Sequence, residues 1–336
     1  PRAHEVLVRI EAAGICHSDL SVVDGNRVRP VPMLLGHEAA GIIVQLGSEV
    51  HGFALGDRVV MTFMPRCGQC AGCATDGIRP CIPGSASNGD GTLIGGGRRL
   101  TRDGEPVHHH LGVSAFATHA VVSTHSLVRV DADVPADVAA VLGCAVLTGG
   151  GAVVNAARPK PGETLIVVGL GGVGMAALIT ALAQDDLRVI AVDSLRTKLD
   201  AALDLGAVAA YTPSDAAAEG ILATSVIEAA GNARALEAAI GFTDAGGRTV
   251  TVGLPAPDAR VSFSPTALVA QGRSIIGSYL GSAVPSRDIP RFVDLWRQGR
   301  LPVERLVTSH IALDDVNEAM DALARGDAIR QVIDFD

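Results

Sequence analysis

The sequence predicts an α/β protein of two domains, one rich in short antiparallel strands and one built on a parallel sheet. Three observations carry this. At 336 residues the chain has material for about two independent cores. From residue 5 to about 130, β-branched runs such as Val6-Leu7-Val8, Gly41-Ile42-Ile43-Val44 and Asp57-Arg58-Val59-Val60 alternate with Gly, Pro and Asp, which predicts a small barrel or sandwich. From about 162 to 253 the rhythm becomes strand then helix, with apolar strands at 164–168, 189–192, 226–229 and 249–252, which predicts a parallel sheet.

The elements after the first strands follow from local signals. Ser194 before 195–205 and Gly206 after it are an expected N-cap and a C′ glycine. Two further helices are expected at 287–298 and 314–324, then a strand over 330–335. Residues 165–183 carry no charge, long enough to suggest a membrane span, but Gly169, Gly171, Gly172 and Gly174 break them where Ile166-Val167-Val168 gives way to a helical stretch. Residues 138–155, interrupted by Gly143, Gly149, Gly150 and Gly151, read as buried turn and helix. A soluble, cytoplasmic protein is therefore expected. The chain opens on Pro1 without Met, and further residues are expected before it.

The composition is that of a globular protein, 48% hydrophobic and 19% charged. A formal net charge of −9 argues against a nucleic-acid partner, whose phosphates need a basic surface.

Four of the six cysteines, Cys67, Cys70, Cys73 and Cys81, form a C-x2-C-x2-C-x7-C run. Four thiolates on one loop suit a closed tetrahedral zinc site that holds structure. An iron-sulfur cluster is the weaker alternative, because the common bacterial run closes after three residues with Cys-Pro. Disulfides are weaker still in a chain with core enough.

Gly169-Leu170-Gly171-Gly172-Val173-Gly174 matches G-x-G-x-x-G between a predicted strand and a predicted helix, with Asp193 at the end of the next strand. That context makes it a dinucleotide fingerprint: glycines let amides approach a pyrophosphate at a helix N-terminus, and the carboxylate accepts from the ribose hydroxyls. A carboxylate there favours NAD over NADP, although Asp193 could instead simply cap the helix that follows. Lys198, one turn on, could touch the same ribose or be a solvated charge.

Cys16, His37 and Cys144 are scattered, and each alone reads as an ordinary buried residue. In order and separation, however, Gly14-Ile15-Cys16-His17-Ser18-Asp19, Gly36-His37-Glu38, the cysteine run, Leu142-Gly143-Cys144 and the glycine turn resemble the zinc-dependent medium-chain alcohol dehydrogenases, in their long, two-zinc form. The resemblance covers essentially the whole chain. It implies a GroES-like β-rich catalytic domain over 1–146 and 281–336, with a Rossmann doubly wound coenzyme domain over 147–280. It implies that Cys16, His37 and Cys144 hold a catalytic zinc, that Asp19 orients His37, and that Glu38 lies behind the metal. It makes Ser18 the hydroxyl that passes the alcohol proton, with a turn residue as the plainer reading. Thr148 and Val173 match positions at the nicotinamide, and His17 and Arg330 positions near the pyrophosphate.

The chain also departs from this pattern. Ser21 stands where many members end their proton relay in a His, so a shorter relay, or one ending in water, is expected. Phe63 matches an aromatic wall of the substrate pocket, or is plain core. His110 stands where many relatives carry another aromatic, and could bind a polar substrate or belong to a solvated His108–His110 run. The resemblance implies hydride transfer between an alcohol and NAD, two zincs per subunit, a small-molecule alcohol or aldehyde substrate, and a homodimer or homotetramer with 274–279 as a candidate edge strand. Two alternatives stay open: a thiol-adduct formaldehyde dehydrogenase, with Arg27 and Arg29 as the nearby bases, and a non-catalytic zinc and dinucleotide-binding protein.

Overall fold

The computed structural model describes residues 1–335 and divides the chain into two units. The first comprises Pro1–Cys144, Val284–Asp294 and Val303–Asp336; the second comprises Ala145–Ala283 and Leu295–Pro302. In chain order the strands that matter are β1 (Glu5–Ile15), β2 (Glu38–Leu46), β3 (Arg58–Met61), β4 (His119–Ser123), β5 (Leu127–Val130), β6 (Thr164–Val168), β7 (Arg188–Val192), β8 (Ala209–Tyr211), β9 (Ala223–Glu228), β10 (Thr243–Thr251), β11 (Ser274–Gly277), β12 (Val307–Ile311) and β13 (Arg330–Asp334). The helices used below are α1 (His17–Val23), α2 (Ile82–Asp90), α3 (Ala136–Ala157), α4 (Gly172–Leu182), α5 (Arg196–Asp204), α6 (Pro285–Arg297) and α7 (Val316–Arg325).

In the first unit a seven-stranded sheet runs β12-β13-β1-β2-β3-β5, with β4 also on β1. The long β1 serves three partners. Residues 12–15 pair with β13, residues 5–9 with β4, and nearly the whole strand with β2, through register shifts at Leu7/Val8 and Ile10/Ala12. Such irregularities bend a strand and let one element close a barrel-like wall. Alternation along β1 puts Val6, Val8 and Ile10 into a core with Ile43, Val59, Met61, Val122 and Ile333. A separate small sheet joins Met33–Leu34, Glu105–His109 and Leu100–Arg102. It is tied to β1 by the Arg99 guanidinium on both Glu5 oxygens.

In the second unit the six strands are all parallel, in the order β8-β7-β6-β9-β10-β11. This is a doubly wound sheet, and its strand order reverses between β6 and β9, the place where such sheets bind ligands at their carboxyl ends. The strand expected at 164–168 is β6 itself.

The glycine-laden stretch 138–155 is continuous helix within α3 rather than turn and helix, a correction. Leu142–Val146 and Ala152–Ala157 widen to π geometry, which absorbs the local irregularity without breaking the run. Among the described residues α3 is one helix long and apolar enough to cross a membrane, and 89% of its apolar window is buried inside the protein. Residues 165–183 divide into β6, the glycine turn and α4.

Candidate active site

Three chain segments bring Cys16, His37 and Cys144 together, with their donor atoms within 4.8 Å of one another. Cys16 follows β1, His37 precedes β2, and Cys144 lies in the first π segment of α3. Gly143 makes that last placement possible: a side-chain carbon there would collide with the Met61 carbonyl of β3. All three residues are buried.

The His37 ring has a defined orientation. Its Nδ1 is 3.1 Å from Asp19 Oδ1 and its Nε2 is 3.4 Å from Cys144 Sγ. A carboxylate only accepts, so Nδ1 carries a hydrogen, and Nε2 is the nitrogen that faces the thiols. The fully buried Asp19 also accepts from Cys16 N–H and Gly36 N–H, each at 3.1 Å, and so knits both ligand-bearing loops together. Burial alone would raise the Asp19 pKa, but His37 and His110 hold it far below the usual range. Burial likewise opposes a charge on His37, and the Asp19 carboxylate overcomes it and raises the imidazole well above its ordinary value.

The two buried thiols shift in opposite directions: a hydrogen bond from Cys144 draws Cys16 well below an ordinary thiol, and the same bond together with burial raises Cys144. Behind them, burial pushes Glu38 up to about 7 although Arg330 pulls the other way. Both Glu38 oxygens are buried without a well-formed hydrogen bond, the nearest base being Arg330 Nε at 3.4 Å. Two soft thiols, an imidazole lone pair and an under-satisfied carboxylate fit a divalent zinc, since tetrahedral sulfur and nitrogen ligands lie about 3.6 Å apart around that ion. Three donors leave a fourth position for an exchangeable oxygen.

The four-cysteine loop forms a separate group. Its sulfurs lie within 4.8 Å of one another, with Cys67–Cys73 at 3.9 Å and Cys70–Cys81 at 4.0 Å. Four zinc-bound sulfurs sit about 3.8 Å apart, so the loop fits the ion closely. Backbone N–H groups of Cys73 and Ile82 point at Cys70 Sγ and lower its pKa to about 6, while burial pushes Cys81 up to about 12. The six cysteines are all free thiols.

The remaining predicted residues fall in several places. Ser18 is half-buried in α1 beside Asp19, and His17 is exposed at the start of that helix. The Ser21 hydroxyl donates to the His17 carbonyl at 2.8 Å. Phe63 packs edge-on to His37 with ring centroids 5.7 Å apart. Arg330 is buried, donating to the Ile15 carbonyl at 2.8 Å beside Glu38. Arg29 reaches the Asn88 carbonyl at 3.4 Å, and Arg27 N–H donates to the Ser21 carbonyl.

The solvated histidine run is a correction. His109 and His110 are each 1% exposed. His109 Nε2 accepts Arg99 N–H at 3.0 Å, and His110 stands edge-on to His37, centroids 5.2 Å apart, with Nδ1 3.0 Å from Asp19 Oδ1 at a poorer angle. Sequence reasoning missed that second imidazole on Asp19. No local signal could have found it, because the two are 91 positions apart and meet only through the fold.

In the second unit Gly169, with φ +89°, turns the chain out of β6, and a side-chain carbon there would lie 2.6 Å from Ala230 N. Gly171 is the N-cap position of α4, which Gly172, Val173 and Gly174 open. Asp193 Oδ2 accepts Leu170 N–H at 2.6 Å, and Oδ1 accepts Leu195 N–H at 2.9 Å. The carboxylate thus braces the glycine turn and holds the amide of the residue just before the next helix, which itself has no side-chain cap. Ser194 does not cap it, a correction: α5 starts at Arg196, with Leu195 in the N-cap position and Gly206 beyond its end at φ +113°. Lys198 is half-buried on α5, and Thr148 is buried in α3.

Residues 2–132 match the family model of the alcohol dehydrogenase GroES-like domain, and residues 172–298 that of the zinc-binding dehydrogenases. The whole chain is 37% identical to geraniol dehydrogenase of Castellaniella defragrans, covering 92% of that protein. It superposes on an alcohol dehydrogenase zinc-binding domain protein from Burkholderia ambifaria with TM-score 0.93 and 34% identity, covering all of this chain and 93% of that one. Benzyl alcohol dehydrogenase from Acinetobacter calcoaceticus gives TM-score 0.90 and 30% identity, with the same coverage.

Proposed function

The chain belongs to the zinc-dependent medium-chain dehydrogenase family and is an alcohol–aldehyde oxidoreductase, and from that premise we propose that it is an NAD-dependent enzyme with one catalytic and one structural zinc. The observation that carries the reading is the donor set itself: His37 Nε2 lies 3.4 Å from Cys144 Sγ while Nδ1 is held by Asp19, with Cys16 completing a group of three ligands among the described residues. When bound there, zinc supplies a Lewis acid that polarises an alcohol or carbonyl oxygen, and the nicotinamide supplies the hydride acceptor or donor.

The chain's own residues do the rest. Cys16, His37 and Cys144 hold the ion, Asp19 fixes the imidazole, and Glu38 with Arg330 balances charge behind it. Ser18 hands the alcohol proton outward, since a hydroxyl can donate and accept together. With the Ser21 hydroxyl on the His17 carbonyl, the relay ends in water. Phe63 and His110, both edge-on to His37, wall the substrate position. Cys67, Cys70, Cys73 and Cys81 hold the second zinc.

For the coenzyme, Gly169, Gly171, Gly172 and Gly174 bare the amides at the start of α4 for the pyrophosphate, and Thr148 and Val173 hold the nicotinamide. Asp193 selects the ribose hydroxyls, with Lys198 beside it, and a phosphate on that ribose would face a carboxylate, which supports NAD. His17 and Arg330 serve the pyrophosphate, Arg330 sharing its guanidinium with Ile15 and Glu38. The named relatives act on geraniol and benzyl alcohol, which supports a primary alcohol beside an unsaturated carbon as substrate. Six free thiols suit the reducing cytoplasm, and the exposed edge strand β11 suits pairing with a second copy as a dimer or tetramer.

Elemental analysis of wild type and Cys144→Ser, with coenzyme reduction assayed over a panel of alcohols, tests the reading. Two zincs in wild type, and one zinc without turnover in the variant, are expected. One zinc in both, with no turnover on any alcohol, would leave a binding protein instead.

A further inference from the structure

We propose that Glu228 is a positioning residue for the coenzyme: it ties the turn after β9 to the end of β10 and thereby holds the wall against which the glycine turn stands. The inference rests on the dinucleotide reading of the second unit and adds to it a residue outside the fingerprint.

Glu228 is the last residue of β9, which lies next to β6 at the reversal of strand order. Its side chain is 1% exposed. Oε1 accepts Gly231 N–H at 2.7 Å, Oε2 accepts the Thr251 hydroxyl at 2.7 Å, and Ala230 N–H also points at the carboxylate. Its backbone carbonyl accepts Val252 N–H at 2.9 Å and Gly253 N–H at 3.3 Å. One residue therefore grips its own turn on one side and the end of the neighbouring strand on the other. Gly253 in turn is pressed so closely on Gly231 that a side-chain carbon at Gly253 would collide with the Gly231 amide.

That turn is what the glycine fingerprint rests on. Ala229 N–H donates to the Val168 carbonyl at 2.8 Å, and the space a Gly169 side chain would need is filled by the Ala230 backbone, 2.6–2.7 Å away. Any shift of 229–231 is therefore passed straight to Gly169 and to the amides that follow it. All the partners of the carboxylate are neutral N–H and O–H groups, and burial raises its pKa against them. What the site needs from Glu228 is two acceptors in a fixed place.

The geometry makes the amide a conservative replacement. In Glu228→Gln the amide oxygen still accepts Gly231 N–H, and its NH2 donates to the Thr251 hydroxyl, which accepts as readily as it donates. Glu228→Ala leaves buried donors without acceptors and frees the turn. Thr251→Val removes one tie without opening a cavity.

The experiment is titration of NADH fluorescence for wild type and the three variants, with KM for coenzyme and alcohol, zinc content and thermal melting measured alongside. The expected result is a rise of about tenfold or more in NADH dissociation constant and coenzyme KM for Glu228→Ala, and a rise of about threefold for Thr251→Val. Glu228→Gln is expected within about threefold of wild type, and alcohol KM and zinc content within about twofold throughout. A lowered melting temperature with unchanged coenzyme KM in Glu228→Ala would reduce the residue to a structural tie and overturn the proposal. So would equal damage in Gln and Ala. If Glu228→Ala does not fold, Thr251→Val decides, and unchanged NADH binding there overturns it. Failure of the wild type to bind either NADH or NADPH would instead strike the coenzyme reading itself.

Discussion

Replacing Asp19 by Asn asks whether one buried carboxylate organises the catalytic donor set. Its Oδ2 accepts Cys16 N–H, and its Oδ1 accepts Gly36 N–H and His37 Nδ1 with His110 Nδ1 also at 3.0 Å. An amide of the same shape keeps only one acceptor. With that oxygen turned to Gly36, His37 and His110, its NH2 faces Cys16 N–H, and a buried donor left without a partner costs about 1–3 kcal/mol. The bonds that remain lose their charge assistance, on the order of 0.5–1 kcal/mol each. Together the expected loss is about 3–5 kcal/mol, a large part of the ~5–15 kcal/mol that holds a typical domain. Losing the partner that orients a ligand histidine should also weaken zinc by about 10–100-fold. Urea unfolding of the zinc-loaded proteins measures the first effect, and zinc release to a chromogenic chelator the second. An Asp19→Asn protein within about 0.5 kcal/mol of wild type that releases zinc no faster would refute the reasoning, since a carboxylate buried to 0% exposure could then be exchanged without cost.

Three further outcomes are expected. Cys70→Ser should remove one zinc per chain and lower the melting temperature by about 5–10 °C while the zinc at Cys16, His37 and Cys144 remains, as elemental analysis with calorimetry would read; an unchanged metal content would contradict the four-sulfur site. Asp193→Ala should raise KM for NAD by about tenfold and shift the NAD-to-NADP preference by more than that, and an unmoved ratio would remove Asp193 from coenzyme selection. Burial holds the His109 pKa down to about 4 against an ordinary 6.5, so the unfolded chain takes up the proton first. The stability His109 gives is therefore whole above pH 6.5 and lost as pH falls through 4, on the order of 3 kcal/mol. Urea unfolding across that range should show the slope in wild type and lose it in His109→Gln; parallel slopes would show that another group titrates.

Much of the site was legible because its signals are local. The four cysteines lie within one loop, so spacing alone brings them near one another, and the structure holds their sulfurs within 4.8 Å. The glycine fingerprint sits between β6 and α4 as expected, because a β-branched run, a turn that only glycine tolerates and an apolar helix are each written in consecutive residues. Local signals failed where a neighbour took over. Ser194 is a good capping residue, but the Asp193 carboxylate already accepts Leu195 N–H and the helix starts later. Four glycines argued for a break in 138–155, but packing of Ala136–Val141 on β1 and β2 and burial of nearly the whole apolar face keep α3 helical.

The sequence by itself determined the class of chemistry: a thiol-rich loop, three scattered soft ligands in a family's order, and a dinucleotide turn. Only the tertiary structure decided which atoms are committed to which partners. It turned His110 from a member of a solvated run into a buried neighbour of Asp19, set Arg330 against Glu38, and placed Glu228 between two strand ends beside the glycine turn. The physical reason is separation. Those contacts span 23 to 292 positions, so they depend on which strands pair and in what register, and no run of neighbouring residues encodes them.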